Sequence, residues 1–195
     1  MDLFALTFAS GWASGLNAYA TVLVLGLLGR FAGVEAVPAG LQRTDVLIVM
    51  AILAVVEFIA DKIPYLDTLW DAVSTVIRPI AGATIGALIA GASGELPAVT
   101  LAAVGGVTAL LSHLVKAGLR LAANSSPEPV SNVGLSVTED VAAVGGTSLA
   151  LAFPVAAAVI AAVLLVATVI LAAILLNQIS RGWAALRRRL TADRP

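Results

Sequence analysis

Long apolar runs separated by short polar stretches make up most of this chain. The first run covers residues 3–28. Ser, Thr, Asn and Gly punctuate its first half, the second half is apolar, and Arg30 closes it. A connection with Glu35, Pro38, Gly40 and Gln42 follows, of the kind that faces water. The second run, 46–63, ends in the dense polar set Glu57, Asp61, Lys62 and Pro64. Residues 65–76 alternate charged and aromatic side chains, which predicts an amphipathic segment in the membrane interface with Trp70 at headgroup depth. A short Gly-bearing run (79–92) and a longer one (97–123) lead to a polar loop at 124–132. A fifth run starts near Ser136 and meets Pro154; a sixth, 155–176, carries no charge. Residues 178–190 form a basic amphipathic tail with Trp183, Arg187, Arg188 and Arg189, expected to dock on anionic lipid.

A spanning helix needs roughly 20 apolar residues. The pattern therefore predicts an all-α, polytopic integral membrane bundle of about six helices in one domain. Runs 79–92 and 136–153 are short enough to be re-entrant instead of spanning. Composition agrees: 60% of the 195 residues are hydrophobic and 12% charged, with a mean hydropathy of +1.03. A soluble domain carries about twice that charged share.

Cation placement predicts an orientation. With six spans, Lys62, Arg78, Lys116, Arg120, Arg181, Arg187, Arg188, Arg189 and Arg194 fall on one side, and only Arg30 and Arg43 on the other. By the positive-inside rule both termini are then cytoplasmic. Nine Arg against two Lys, in an Ala-rich chain, suggests a bacterial cytoplasmic (inner) membrane. Residues 8–17 also lie loosely over 103–112, which suggests two inverted three-helix repeats, 1–96 and 97–180, a common transporter build.

Several function classes are disfavoured. A net charge of −1 predicts no nucleic-acid partner. With no cysteine and one histidine, thiol chemistry is excluded and a metal cluster is not expected. No phosphate loop or nucleophile motif occurs, so neither a cofactor nor an enzymatic activity is expected.

The polar residues inside the runs remain. Ser10, Ser14, Asn17 and Thr21 share one helical face, with Gly11 and Gly15 spaced for close helix approach. That face reads either as small-residue packing or, at Asn17 above all, as a site. Glu57 and Asp61 lie one turn apart. A charge at Glu57 must be paired, protonated or hydrated, as a structural ion pair with Arg78, Lys116 or Arg120 or as part of a transport site. Thr108, Ser112, Lys116 and Arg120 form a stripe opposite in sign, with His113 beside it; Lys116 and Arg120 read equally as cations snorkelling to headgroups. Ser136 with Glu139 reads as a capping box, and Asn132 belongs to the polar loop. The candidate lining residues are Ser14, Asn17, Glu57, Asp61, Ser112, His113, Lys116 and Asn132.

Ser10-Gly-x-x-Ser-Gly-Leu-Asn-Ala-Tyr19, Glu57-Phe-x-Ala-Asp-Lys-Ile-Pro-x-x-Asp-x-x-Trp-Asp71, Arg78-Pro-x-Ala-Gly82 and Ser126-Pro-Glu-Pro-x-Ser-Asn132 with Glu139-Asp140 together resemble a family of small bacterial membrane proteins. It is catalogued as domain of unknown function 4126. The resemblance covers nearly the whole chain and implies a membrane protein, without implying an activity. The expected function is a transporter or channel for a small solute, ion or lipid, with a non-transporting scaffold subunit as the alternative. Membrane lipids and further copies of the chain are the expected partners, because six short helices enclose little volume.

Overall fold

The computed structural model describes residues 2–63, 65–93, 97–124 and 129–192, without the side chains of 129–132 and 182–192. Among these residues all regular structure is helical: α1 (Leu3–Leu16), α2 (Ala18–Phe31), α3 (Thr44–Ala60), α4 (Leu66–Ser93), α5 (Ala98–Asn124), α6 (Pro129–Ala152) and α7 (Pro154–Ala192), with one 3-10 turn at Ala39–Gln42. Three helices are long and apolar enough to cross a membrane by length and composition: α4, α5 and residues Pro154–Arg181 of α7.

The first apolar run is not one helix. Asp2 caps α1, its carboxylate accepting from the Ala5 N–H at 3.0 Å. The helix then stops at Asn17, whose backbone is extended at φ −151°, ψ 101°. Asn17 ends α1 by donating its N–H to the Ala13 carbonyl, and starts α2 by accepting the Ala20 N–H on Oδ1 at 2.8 Å. The chain turns back here. Leu3, Val34, Ala36 and Ser93 line one cavity of about 460 Å³, so the start of α1 and the residues just after α2 lie at the same end of the bundle. Each 14-residue helix is about 21 Å long, short of the roughly 30 Å of hydrocarbon in a bilayer. α1 and α2 therefore form a helical hairpin whose two open ends lie at the same end of the bundle.

Two of the expected breaks are absent. Segment 65–76 is not a separate interfacial helix; it runs straight into 79–92 as α4, through Pro79, and buries Asp67, Asp71, Ser74 and Arg78 along one stripe. The fifth run starts earlier than expected, at Pro129, so Ser136 lies inside α6 and no capping box forms with Glu139. The sixth run and the basic tail are one helix, and the break at Phe153 before Pro154 is where the pattern placed it.

The core is α1, α4 and α5. A Cβ added at Gly82 would strike the Gly105 carbonyl, and one at Gly105 the Gly82 carbonyl, so the two backbones touch. Gly11 and Gly15 of α1 meet Gly105 and Ala109 of α5 in the same way and in ascending order. α1 and α5 therefore run in the same direction, whereas an inverted repeat pairing residues 8–17 with 103–112 would set them antiparallel. The outward faces of α3 (Ile48, Ile52, Val55, Ile59) and α7 (Val159, Val163, Val166, Ile170) are exposed and apolar, the pattern of helices set in lipid.

α7 starts beside the end of α6 and carries Ala172 to Gly118 of α5, away from the end that holds Leu3. Leu3 and the far part of α7 thus lie at opposite ends of the bundle.

Candidate functional site

At the hairpin tip, where α3 ends and α6 begins, seven ionisable side chains from four helices close on one another. Glu57 comes from α3 and Asp61 from its C-terminal cap, Asp71 and Arg78 from α4, Lys116 and Arg120 from α5, and Glu139 from α6. All are buried: Glu57 and Asp61 are 0% exposed, Arg78, Lys116 and Arg120 are 1%. The stripe spacing on α4 and α5 turns these side chains inward together, where the glycine faces bring the two helices close.

Arg78 holds four partners. Nη2 pairs with Glu57 Oε1 and lies 3.5 Å from Asp71 Oδ1; Nη1 donates to the Gly15 carbonyl at 2.9 Å and to His113 Nδ1 at 2.7 Å. Lys116 donates to Asp61 Oδ2 and to the Leu16 carbonyl, both at 2.8 Å, with Glu139 at 3.5 Å and Glu57 at 3.7 Å. Arg120 pairs with Asp61 at 2.7 Å and Glu139 at 2.6 Å, and donates to the Asp61 carbonyl at 3.2 Å. Ser112 donates to the Trp12 carbonyl at 2.6 Å. The break at Asn17 leaves the last carbonyls of α1 without helical partners, and the negative end of the helix dipole points at the same place. Arg78 and Lys116 satisfy both.

Asn17 completes the contact from the hairpin side, donating from Nδ2 to Asp140 Oδ1 at 3.0 Å. Asp140 faces Lys62 at 3.8 Å, and Lys62 donates to Ser136 Oγ at 3.2 Å and lies 3.1 Å from the centre of the Phe58 ring. Two spaces flank the network. A chamber of about 170 Å³ between α1, α5, α6 and α7 has mostly apolar walls, including Trp12 and Leu135, and takes in Ser112, Lys116 and Glu139. A groove of about 370 Å³ between α2, α3 and α6 ends on Asn17 and Asp140.

The structure thus brings together Asn17, Glu57, Asp61, Ser112, His113 and Lys116 of the expected lining residues. Ser14 is fully buried on α1, and its hydroxyl has no hydrogen-bond partner. The side chain of Asn132 lies outside the described residues; its backbone belongs to α6. Lys116 and Arg120 point inward, onto carboxylates at 2.6–2.8 Å, and are not exposed as snorkelling cations would be. Sequence reasoning named Arg78 only as one possible ion-pair partner of Glu57 and assigned Asp71 to the interface, and so left both off the candidate lining. Their signal is the stripe Asp67, Asp71, Ser74, Arg78, which has the i, i+4, i+7, i+11 spacing of one helical face.

The model for the family described as Domain of unknown function (DUF4126) matches residues 4–173. The chain belongs to this family. The match takes in every member of the ionic network and both helices of the hairpin. No curated protein and no solved structure matches the chain.

Proposed function

We propose that the chain is a small multi-pass membrane transport protein whose site is the buried ionic network at the tip of the α1–α2 hairpin. The observation that carries this reading is the tip itself. A helical pair that stops short of crossing, and sets a capping amide and two helix-terminal carbonyls on a charged cluster, is how non-helical backbone is tolerated at membrane depth. Charged groups in such a position are costly and mark substrate or ion paths. The apolar chamber reaches the network at Lys116 and Glu139, and the groove reaches the hairpin tip at Asn17 and Asp140, which gives a small solute or ion space beside the charges. In this reading α3 to α7 cross the membrane, the hairpin does not, and the end bearing Lys62 and Arg181 faces the cytoplasm by the positive-inside rule.

The alternative, a non-transporting subunit, rests on the apolar outward faces of α3 and α7, which a partner helix covers as readily as lipid does. The absence of native cysteine makes a direct test available. Single cysteines at Ser112 and Thr138, both in the chamber wall, are challenged in proteoliposomes with a membrane-impermeant thiol reagent. Labelling comparable to an exposed control at Gly33 means that water reaches the network, as transport requires. Protection at both positions, with the control labelled, favours the subunit.

A further inference from the structure

The network does not balance. Glu57, Asp61, Asp71 and Glu139 contribute four carboxylates, and Arg78, Lys116 and Arg120 three cations. His113 does not make up the difference. Arginine is always a donor, so its 2.7 Å hydrogen bond to Nδ1 requires that nitrogen to be the acceptor. The proton then sits on Nε2, which donates towards Thr75 Oγ1 at 2.9 Å and the Asp71 carbonyl at 3.1 Å, and the ring is neutral. The neighbouring charges do not help. Lys62 is matched by Asp140, and Asp67, one turn before Asp71, adds a carboxylate that takes its donors from Asn124 and Thr68. Within the network itself one negative charge is left in a buried site, where an uncompensated charge is not sustained, and the buried Asp67 adds to the deficit.

The four acids are not equivalent. Glu57 is held by Arg78, Asp61 by Lys116 and Arg120, and Glu139 by Arg120, each within hydrogen-bonding reach. Asp71 is not: its nearest cations stand at 3.5 Å (Arg78) and 3.8 Å (Arg120), and the residue is 5% exposed. The geometry points to Asp71 as a proton-binding site, neutral in this conformation, that carries the proton balancing the network. A bound metal ion is the other way to balance it, but among the described residues no three acidic or histidine side chains converge to hold one.

Asp71 also stands between the two halves of the network. The Arg78–Glu57 pair lies on one side and the Arg120–Glu139 pair on the other. Loss of the proton turns Asp71 into a competing acceptor for both arginines. Arg78 holds the Gly15 carbonyl and Arg120 the Asp61 carbonyl, so the state of Asp71 is felt at the hairpin tip and at the end of α3. The other ionisable groups around it are Glu57 and Asp61 from α3, Lys116 and His113 from α5, Glu139 from α6 and Tyr19 from α2. Resting on the transport reading, this makes the proton the coupling ion.

The test reads the proton directly. The full chain in lipid nanodiscs is titrated from neutral to alkaline pH under infrared difference spectroscopy, with aspartate or glutamate side-chain carboxyls labelled with carbon-13 in separate preparations. The expected result is a protonated-carboxyl band at neutral pH that shifts with labelled aspartate, not with labelled glutamate, and is lost on titration. Asp71→Asn removes the band, and Asp71→Glu moves it into the glutamate-labelled set. Absence of the band in the unsubstituted chain, its shift with labelled glutamate, or its survival in Asp71→Asn overturns the assignment. Isotope labelling needs no substitution, so a variant that does not fold leaves the test intact. Proteoliposomes that show the band but move no charge or solute under a proton gradient keep the assignment and remove the transport reading.

Discussion

Asn17 donates a 3.0 Å hydrogen bond to Asp140 across 123 positions of sequence, fastening the tip of the α1–α2 hairpin to α6. The same side chain caps α2 through its other atom. Two substitutions separate these roles. Asn17→Ser keeps a capping hydroxyl and gives up Asp140; Asn17→Ala gives up both. A lost cap costs about 0.5–2 kcal/mol, and a buried carboxylate oxygen left without its donor about 1–3 kcal/mol. Reversible unfolding in mixed micelles is expected to rank the wild type above the serine variant and the serine variant above alanine. Equal losses in the two variants would mean that the cap contributes nothing.

Close approach of α1 to α5 rests on Gly15, where a methyl group would enter the space of Ser112 Oγ and the Ala109 carbonyl. Gly15→Ala is expected to destabilise the fold by about 1–3 kcal/mol through overpacking. Gly91→Ala, which meets nothing within 4 Å, is the control. Its effect is expected to be neutral, or stabilising by up to about 1 kcal/mol from helix propensity. Thermal unfolding of the two variants in the same detergent checks the contrast.

The Glu57–Arg78 pair is fully buried, so removing one partner strands the other. Glu57→Leu and Arg78→Met are each expected to cost about 3–5 kcal/mol. The double variant is expected to lose less than their sum, with a coupling above about 1 kcal/mol. A double-mutant cycle on unfolding free energies measures it, and additivity would mean that the pair is not an energetic unit.

Topology is open to the same cysteine chemistry. If the hairpin enters and leaves at one end, cysteines at Asp2 and Gly33 label from the same side of the membrane and one at Arg181 from the other. An Asp2 cysteine that labels together with Arg181 would mean that the first apolar run crosses.

The chemistry of the site was partly legible. Glu57 and Asp61 one turn apart, and Lys116 with Arg120 at the same spacing, already showed complementary charges in apolar surroundings. Asn17 stood out as an amide in a hydrocarbon-length run. Arg78 was legible only as one of three possible partners for Glu57, because it precedes a proline that read as a break, and Asp71 was hidden beside a tryptophan that read as an interface. Pro79 instead lies inside α4, where neighbouring helices offer other partners to the backbone group it frees.

By itself the sequence determined the class of the protein: the length and apolarity of its runs require helices, and its lack of thiols and near-lack of histidine exclude whole chemistries. It also contained every charge of the network and the glycine faces that let α1, α4 and α5 meet. Only the tertiary structure decided that the first run reverses at Asn17, that Lys116 and Arg120 point inward, and that Asp71 is the acid whose cations stand farthest off, at 3.5 and 3.8 Å. Periodicity reports which side of a helix a residue occupies. It does not report what stands opposite, and for a buried charge the opposite group decides whether it snorkels, pairs or holds a proton.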